Sequence, residues 1–344
     1  MDEAFTEYRK QGYIPGRIGM ECRGMYKVYT ESGMVMGQLS GKMHYTAEDE
    51  GLHPAAGDWA AVEGMLQEKR AVIHAILPRK SMVVRKSAGV VTREQVVAAN
   101  VDTVFIVMSL NQNFNIRRLE RYLVMVWESN ASPVIVLSKA DLCSDIEEKI
   151  AEVEKAAMGV PVYPICSVKG VGTEELKRYI HEGMSIALVG SSGVGKSTLV
   201  NCLLGKDEFK TQEVSSIGDK GRHTTTAREL VFLPDGGMLI DTPGMRELQL
   251  WEGEDTLANV FNDIEELAEC CRFRDCSHNN EPGCAVIEAI RNGGLEKQRL
   301  DSYRKLQREL RFMEQKQKNL EKIRNKRSRG KDIKKSAVHM DTDI

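Results

Sequence analysis

Long apolar runs are missing from this 344-residue sequence. None approaches the roughly 20 residues that a spanning helix needs, so no membrane is expected among its partners. The opening residues, MDEAFTEYRKQGY, lack the apolar core of a secretory leader, and a cytoplasmic location is expected. Aromatic residues are scarce at 6%, yet the 42% apolar fraction over this length is enough for two or three domains with ordinary cores. Net charge is nearly absent too, at -2, which for the whole chain argues against a nucleic-acid partner.

That average conceals a division. Residues 296–335 hold 16 Lys or Arg against 6 Asp or Glu, a local charge of +10, so the remainder carries -12. Charge so uneven points to a basic segment directed at a polyanion, although a solvated helix has the same composition. Cysteine is uneven as well. Cys22, Cys143, Cys166 and Cys202 are scattered, whereas Cys270, Cys271, Cys276 and Cys284 fall within fifteen residues. Without a leader, such a cluster suits a metal better than disulfides.

Three patterns follow one another along the chain. An N-terminal extension, 1–20, precedes short strands with turn punctuation (MYKVYT, MVMGQLS, DWAAV, AVIHAILPR), which predict a small barrel of the oligonucleotide-binding type over 21–90. Over 91–249, strands alternate with helices: TVFIVMS at 103–109, a helical pattern from Ile116 to Glu128, PVIVLS at 133–138, helices over 145–158 and 173–181, and SIALVG at 185–190. This α/β rhythm implies a mostly parallel sheet, with ELVFLP and GMLIDT as an antiparallel pair around Asp235-Gly236. Residues 250–330 read as a helical domain around the Cys-rich segment, and 331–344 as a disordered tail.

Gly190-Ser191-Ser192-Gly193-Val194-Gly195-Lys196-Ser197 fits the phosphate-loop pattern between a strand and a helix, with Thr198 after it. The glycines let backbone amides surround a phosphate at a helix N-terminus. Lys196 is expected to bridge the β- and γ-phosphates, and Ser197 to ligate Mg²⁺. Asp241-Thr242-Pro243-Gly244 has the position of a second phosphate loop, with Asp241 near the metal shell and the Gly244 amide near the γ-phosphate. Asp141, in Ser138-Lys139-Ala140-Asp141 after PVIVLS, can accept both donors of guanine with one carboxylate, and Lys139 can cover the base. Cys166-Ser167 opens a loop that can close over it.

The base-reading loops thus precede the phosphate loop, and DTPG comes last: the order of a circularly permuted GTPase. With GDWAAV, EQVVAANVD, GSSGVGKST, GRHTTT, DTPGMRE and the Cys/His segment, residues 20–310 resemble the ribosome small-subunit-dependent GTPase A family. The resemblance implies a monomeric GTPase that acts late in maturation of the 30S ribosomal subunit, docks on its 16S rRNA, is stimulated by it and leaves on hydrolysis. It implies that Thr225 (Thr224 is the alternative) ligates Mg²⁺ in a switch loop, and that His223 orients water where the usual Gln is replaced by Met245. Cys271, Cys276, His278 and Cys284 form a closed Cys₃His set for one structural Zn²⁺, with family spacing favouring Cys271 over Cys270. Ser138 departs from the usual Asn. Two other classes share parts of this pattern: an ATPase of small-molecule metabolism, and a non-catalytic RNA-binding module with structural nucleotide.

Overall fold

The computed structural model describes residues 2–50, 53–86, 94–206, 229–241, 257–258, 260–279, 281–312 and 315. The chain divides into two compact units, Met1–Gln249 and Leu250–Ile344. Expectations about His223, Thr224, Thr225, Thr242, Gly244, Met245 and the 331–344 tail fall outside the described residues, as does the 316–335 part of the basic 296–335 segment.

In the first unit, helix α1 (Asp2–Lys10) leads into strands β1 (Ile14–Cys22), β2 (Met25–Thr30) and β3 (Gly33–Leu39). Helix α2 (Gly41–Glu50), β4 (Trp59–Met65) and β5 (Arg70–Ile76) follow. The five strands close into a barrel in the order β1-β2-β3-β5-β4, with only β3 and β5 parallel. Alternating inward residues Ile18, Val28, Val35, Val62 and Ile73 fill it. The barrel begins at Ile14, inside the stretch assigned to an N-terminal extension, and ends at Ile76, short of residue 90. Its first strand escapes sequence reading because IPGRIGMEC carries Pro15, Gly16 and Gly19, residues that ordinarily mark turns. Here they serve packing: a methyl group at Gly16 would come within 2.5 Å of Val28 Cγ1 in the tight interior. The α1 helix is no loose extension either, since Phe5 is buried with Ala61 and Leu77.

A hairpin of β6 (Met82–Lys86) and β7 (Glu94–Ala99) leads to a six-stranded sheet. Its elements are β8 (Thr103–Ser109), α3 (Ile116–Glu128), β9 (Ser132–Ser138), α4 (Ile146–Ala156), β10 (Val162–Pro164), β11 (Ser185–Val189), α5 (Lys196–Leu204), β12 (Glu229–Phe232) and β13 (Met238–Asp241). The order is β10-β9-β8-β11-β13-β12, parallel except for the antiparallel edge pair β12–β13. Each residue of β8 and β11 is buried, which is why these strands read as continuous apolar runs. The 173–181 segment differs from expectation: it forms only a 3₁₀ turn over Glu174–Tyr179, held by buried Leu176. The chain steps from β8 outward to β9 and β10, then returns to β11 on the other side of β8. Ligands in such sheets sit at this switch point, beyond the carboxyl ends of the strands.

Barrel and sheet meet at a buried cation. The Arg17 guanidinium lies 4.7 Å over the Trp59 ring and donates to the Asn100 carbonyl (3.2 Å) and Ser185 Oγ (2.8 Å). Burial lowers its pKa to about 10, against the pull of Asp102 and Asp58. Asp58 in turn is fully buried and paired with Arg79 at 2.6 Å.

The second unit holds helices α6 (Asn262–Glu269) and α7 (Ala285–Arg291) and a further helical stretch over 297–312. Two cations of the basic segment are used internally. Arg299 grips Asp263 through two bonds (2.5 and 2.8 Å) over the Phe261 ring, and Arg304 donates to the His278 carbonyl.

Candidate functional site

At the switch point the loop after β11 meets the loop after β9. Gly190 (φ 149°), Gly193 (φ 75°) and Gly195 (φ 94°) take backbone conformations that L side chains avoid, and a methyl group at Gly190 would lie 2.2 Å from the Val107 carbonyl oxygen. The loop therefore wraps tightly against β8, and Gly195 caps the N-terminus of α5. Lys196 Nζ donates to the Gly190 and Ser191 carbonyls, each at 2.7 Å, so the ammonium stands over the mouth of the loop. Ser197 is exposed, while Val194 is buried in the sheet's core cluster. Ser191 accepts a 3.0 Å bond from Arg118 of α3, a brace that no motif announces.

The loop after β9 is tied to the phosphate loop at two points. The buried Ser138 hydroxyl donates to the Val194 carbonyl at 2.5 Å, and Lys139, left-handed at φ 58°, donates through Nζ to the Gly193 carbonyl at 2.7 Å. Ser138 thus replaces Asn with a shorter group that still reaches the neighbouring loop. Ala140 donates its amide to the Ile165 carbonyl, which joins this loop to the end of β10. Asp141 stands partly exposed on the 3₁₀ turn Ala140–Leu142, with Lys169 Nζ at 3.8 Å. The third loop is closed by a backbone bridge between buried Cys166 and Val171, with Ser167 half-buried beside it. Ser138, Lys139, Asp141 and the 190–197 loop are therefore brought to one end of the sheet. Asp241 ends β13, the neighbour of β11, at that same end.

In the second unit one ligand atom from each of Cys271, Cys276, His278 and Cys284 lies within 4.8 Å of the others. Exposed Cys270 is not among them. Bonds of about 2.3 Å to sulfur and about 2.0 Å to nitrogen at tetrahedral angles place two sulfurs about 3.8 Å apart and sulfur and nitrogen about 3.5 Å apart. Cys271 and Cys284 Sγ are 3.8 Å apart, and they lie 3.6 and 3.5 Å from His278 Nδ1. The cluster can hold a metal ion. Burial pushes the Cys271 thiol up, but backbone hydrogen bonds from Val286 and Ala285 outweigh it, and the thiol sits below its usual range. Burial, then the Arg304 charge, lowers the His278 pKa and favours the neutral, ligating imidazole. The His278 backbone is left-handed (φ 59°), and the adjacent turn is tied by Glu281, which accepts from the Ser277 and Asn279 amides at 3.1 and 2.8 Å.

Comparison with known proteins agrees with this geometry. Residues 76–251 match the family described as RsgA GTPase, and residues 185–322 match one described as 50S ribosome-binding GTPase. The small ribosomal subunit biogenesis GTPase RsgA 2 of Lactiplantibacillus plantarum is 46% identical over 325 residues, 94% of this chain and 90% of that one. RsgA 1 of Oceanobacillus iheyensis is 47% identical over 317 residues, 90% of each chain. The crystal structure of YjeQ from Thermotoga maritima superposes with a TM-score of 0.64 at 28% identity, covering 87% of this chain and 98% of that one. The fold is also that of YloQ, a circularly permuted GTPase (TM-score 0.60, 24% identity, 87% of this chain and 95% of that one). With its Ser-Lys-x-Asp loop ahead of its phosphate loop, a closed barrel in front and a Cys₃His cluster behind, the chain belongs to the RsgA GTPase family.

Proposed function

We propose that this GTPase acts on the small ribosomal subunit: it binds the 30S particle and its 16S rRNA with GTP bound, is stimulated by it, and is released as GDP forms. The observation that supports the nucleotide part is the junction of Ser138 and Lys139 with the Val194 and Gly193 carbonyls, which ties the loop that carries Asp141 to the phosphate loop. An incidental Ser-Lys-x-Asp loop has no reason to be latched there. In this reading Asp141 accepts the guanine N1–H and N2–H₂, Lys139 covers the base, and Cys166-Ser167 closes over it. The amides of Gly190 to Gly195, with Ser191, Ser192 and Val194 between them, cradle the phosphates at the head of α5. Lys196 leaves its own loop carbonyls for the β- and γ-oxygens. Ser197, Thr198, Thr225, Asp241 and Gly244 surround the γ-phosphate side, and Ser197 and Thr225 hold Mg²⁺, which neutralises phosphate charge when bound. His223 orients the attacking water.

The Cys₃His cluster holds zinc. Three thiolates with one imidazole leave no open position, so its role is structural. Organised in this way, the unit presents a basic face to rRNA from the 296–335 segment. The protein works as a monomer in the cytoplasm. Steady-state turnover of GTP with and without 30S subunits tests the proposal directly. Stimulation of at least tenfold by 30S, with no turnover of ATP, is expected; the arginine-finger type of stimulation reaches about 10³-fold or more. Equal turnover with and without subunits contradicts it. His223→Ala is expected to lose the stimulated component and retain nucleotide affinity.

A further inference from the structure

The barrel is attached to the sheet at a second place, along the edge strand β12. Lys27 Nζ on β2 pairs with Glu229 Oε1 at 2.7 Å. Two residues further along the strand, the Tyr29 ring meets the Phe232 ring edge-on, centroids 4.8 Å apart at 90°. Around the corner, a methyl group at Gly57, in the loop that leads into β4, would lie 2.6 Å from Ile240 Cδ1 and 2.1 Å from the Ala99 carbonyl oxygen. The barrel thus grips both strands of the β12–β13 pair, Glu229 and Phe232 by side chains and Ile240 by close approach.

The sequence on either side of this pair gives the grip its meaning. Glu229 follows the Gly221–Thr226 motif by three residues, and Asp241 opens DTPG. Glu229 and Asp241 are register partners in the ladder. An outermost strand is held by hydrogen bonds on one side only, so its position depends on whatever covers its other side. We propose that Lys27 and Tyr29 are positioning residues for the γ-phosphate response. By fixing β12 against β13, they set where the chain leaves the sheet for both phosphate-sensing sequences. The inference rests on the reading of those two sequences given above. It makes the barrel, rather than the sheet alone, a determinant of how strongly GTP is preferred over GDP.

The ion pair is part-exposed, so its contribution is modest, yet coupling of this order is measurable as an affinity ratio. The test uses the full chain as wild type, Lys27→Glu, Glu229→Lys and the double swap, with Kd determined for GDP and for a non-hydrolysable GTP analogue. Each single reversal is expected to raise the ratio of the analogue's Kd to that of GDP about three- to tenfold, and the swap to restore it within about twofold. A purely structural role would weaken both nucleotides alike and leave the ratio unmoved. Lys27→Met, which keeps the stem and removes the charge, is expected to move the ratio in the same direction by a smaller factor, and it carries the test if a reversal does not fold. An unchanged ratio in the single variants, or a swap that restores nothing, overturns the inference. Absence of 30S stimulation in the wild type would instead remove the ribosomal reading, with the nucleotide ratio still deciding this one.

Discussion

The nucleotide end of the sheet and the Cys/His cluster are ordered by opposite means. The first is built on a buried core: Val107, Val136, Leu188, Val194 and Leu199 are nearly inaccessible, and the loops that carry chemistry are short, glycine-shaped extensions of strands packed from both sides. The second has few apolar residues between Cys271 and Cys284; it gathers four potential ligand atoms, with the Arg272–Gly283 backbone bond and the Glu281 and Arg304 contacts around them. A site built on a core exists before its ligand arrives, whereas a site made of its ligands depends on the metal.

Breaking the second region therefore has the largest expected effect. On the zinc reading, chelation withdraws metal binding worth on the order of 10 kcal/mol, and Cys284→Ser takes away one of the three thiolates that provide it. Limited proteolysis within 257–312 should accelerate by orders of magnitude while GTP affinity of the first unit changes less than about twofold. Equal loss at both sites would show that the two regions are not independent. Lys196→Ala comes next: deleting a charged donor worth about 1.5–3 kcal/mol per bond should lower GTP affinity about 100-fold, with metal content unchanged by atomic absorption. Ser138→Ala is the smallest and the sharpest. It leaves the Val194 carbonyl without its 2.5 Å donor, and a buried unsatisfied acceptor costs about 1–3 kcal/mol, so GTP affinity should fall about tenfold by fluorescence titration. Ser138→Asn should retain most of the affinity. An unchanged Kd in Ser138→Ala would mean that the latch does not shape the site.

Much of this was legible in the sequence, for physical reasons that differ between elements. TVFIVMS and SIALV were found as strands because burial on both faces leaves continuous apolar runs, and Ile116–Glu128 as a helix because its apolar residues recur at helical spacing over thirteen residues. The phosphate loop was found because only glycines tolerate its backbone angles. The barrel's first strand was not, since glycines chosen for interior closeness look like turns. Nor were long-range partners: nothing at positions 27 and 229, 118 and 191, or 17 and 185 marks them as pairs, because a contact across many tens of residues leaves no periodic trace. The choice of Cys271 over Cys270, by contrast, is favoured by family spacing, and the geometry agrees: Cys271 Sγ lies 3.6 Å from His278 Nδ1.

The central claim is that Asp141, ahead of the phosphate loop in the chain, reads the guanine. In the proposed role its carboxylate accepts two donors from the base. An amide in its place offers one donor and one acceptor, which no longer matches guanine but matches xanthine, where a carbonyl replaces the 2-amino group. The direct measurement is the Kd of GTP and of XTP for wild type and Asp141→Asn. The variant is expected to lose GTP affinity at least about 100-fold, as for any site that leaves buried polar groups mismatched, and to gain XTP by a comparable factor. GTP binding unaltered by Asp141→Asn would contradict it.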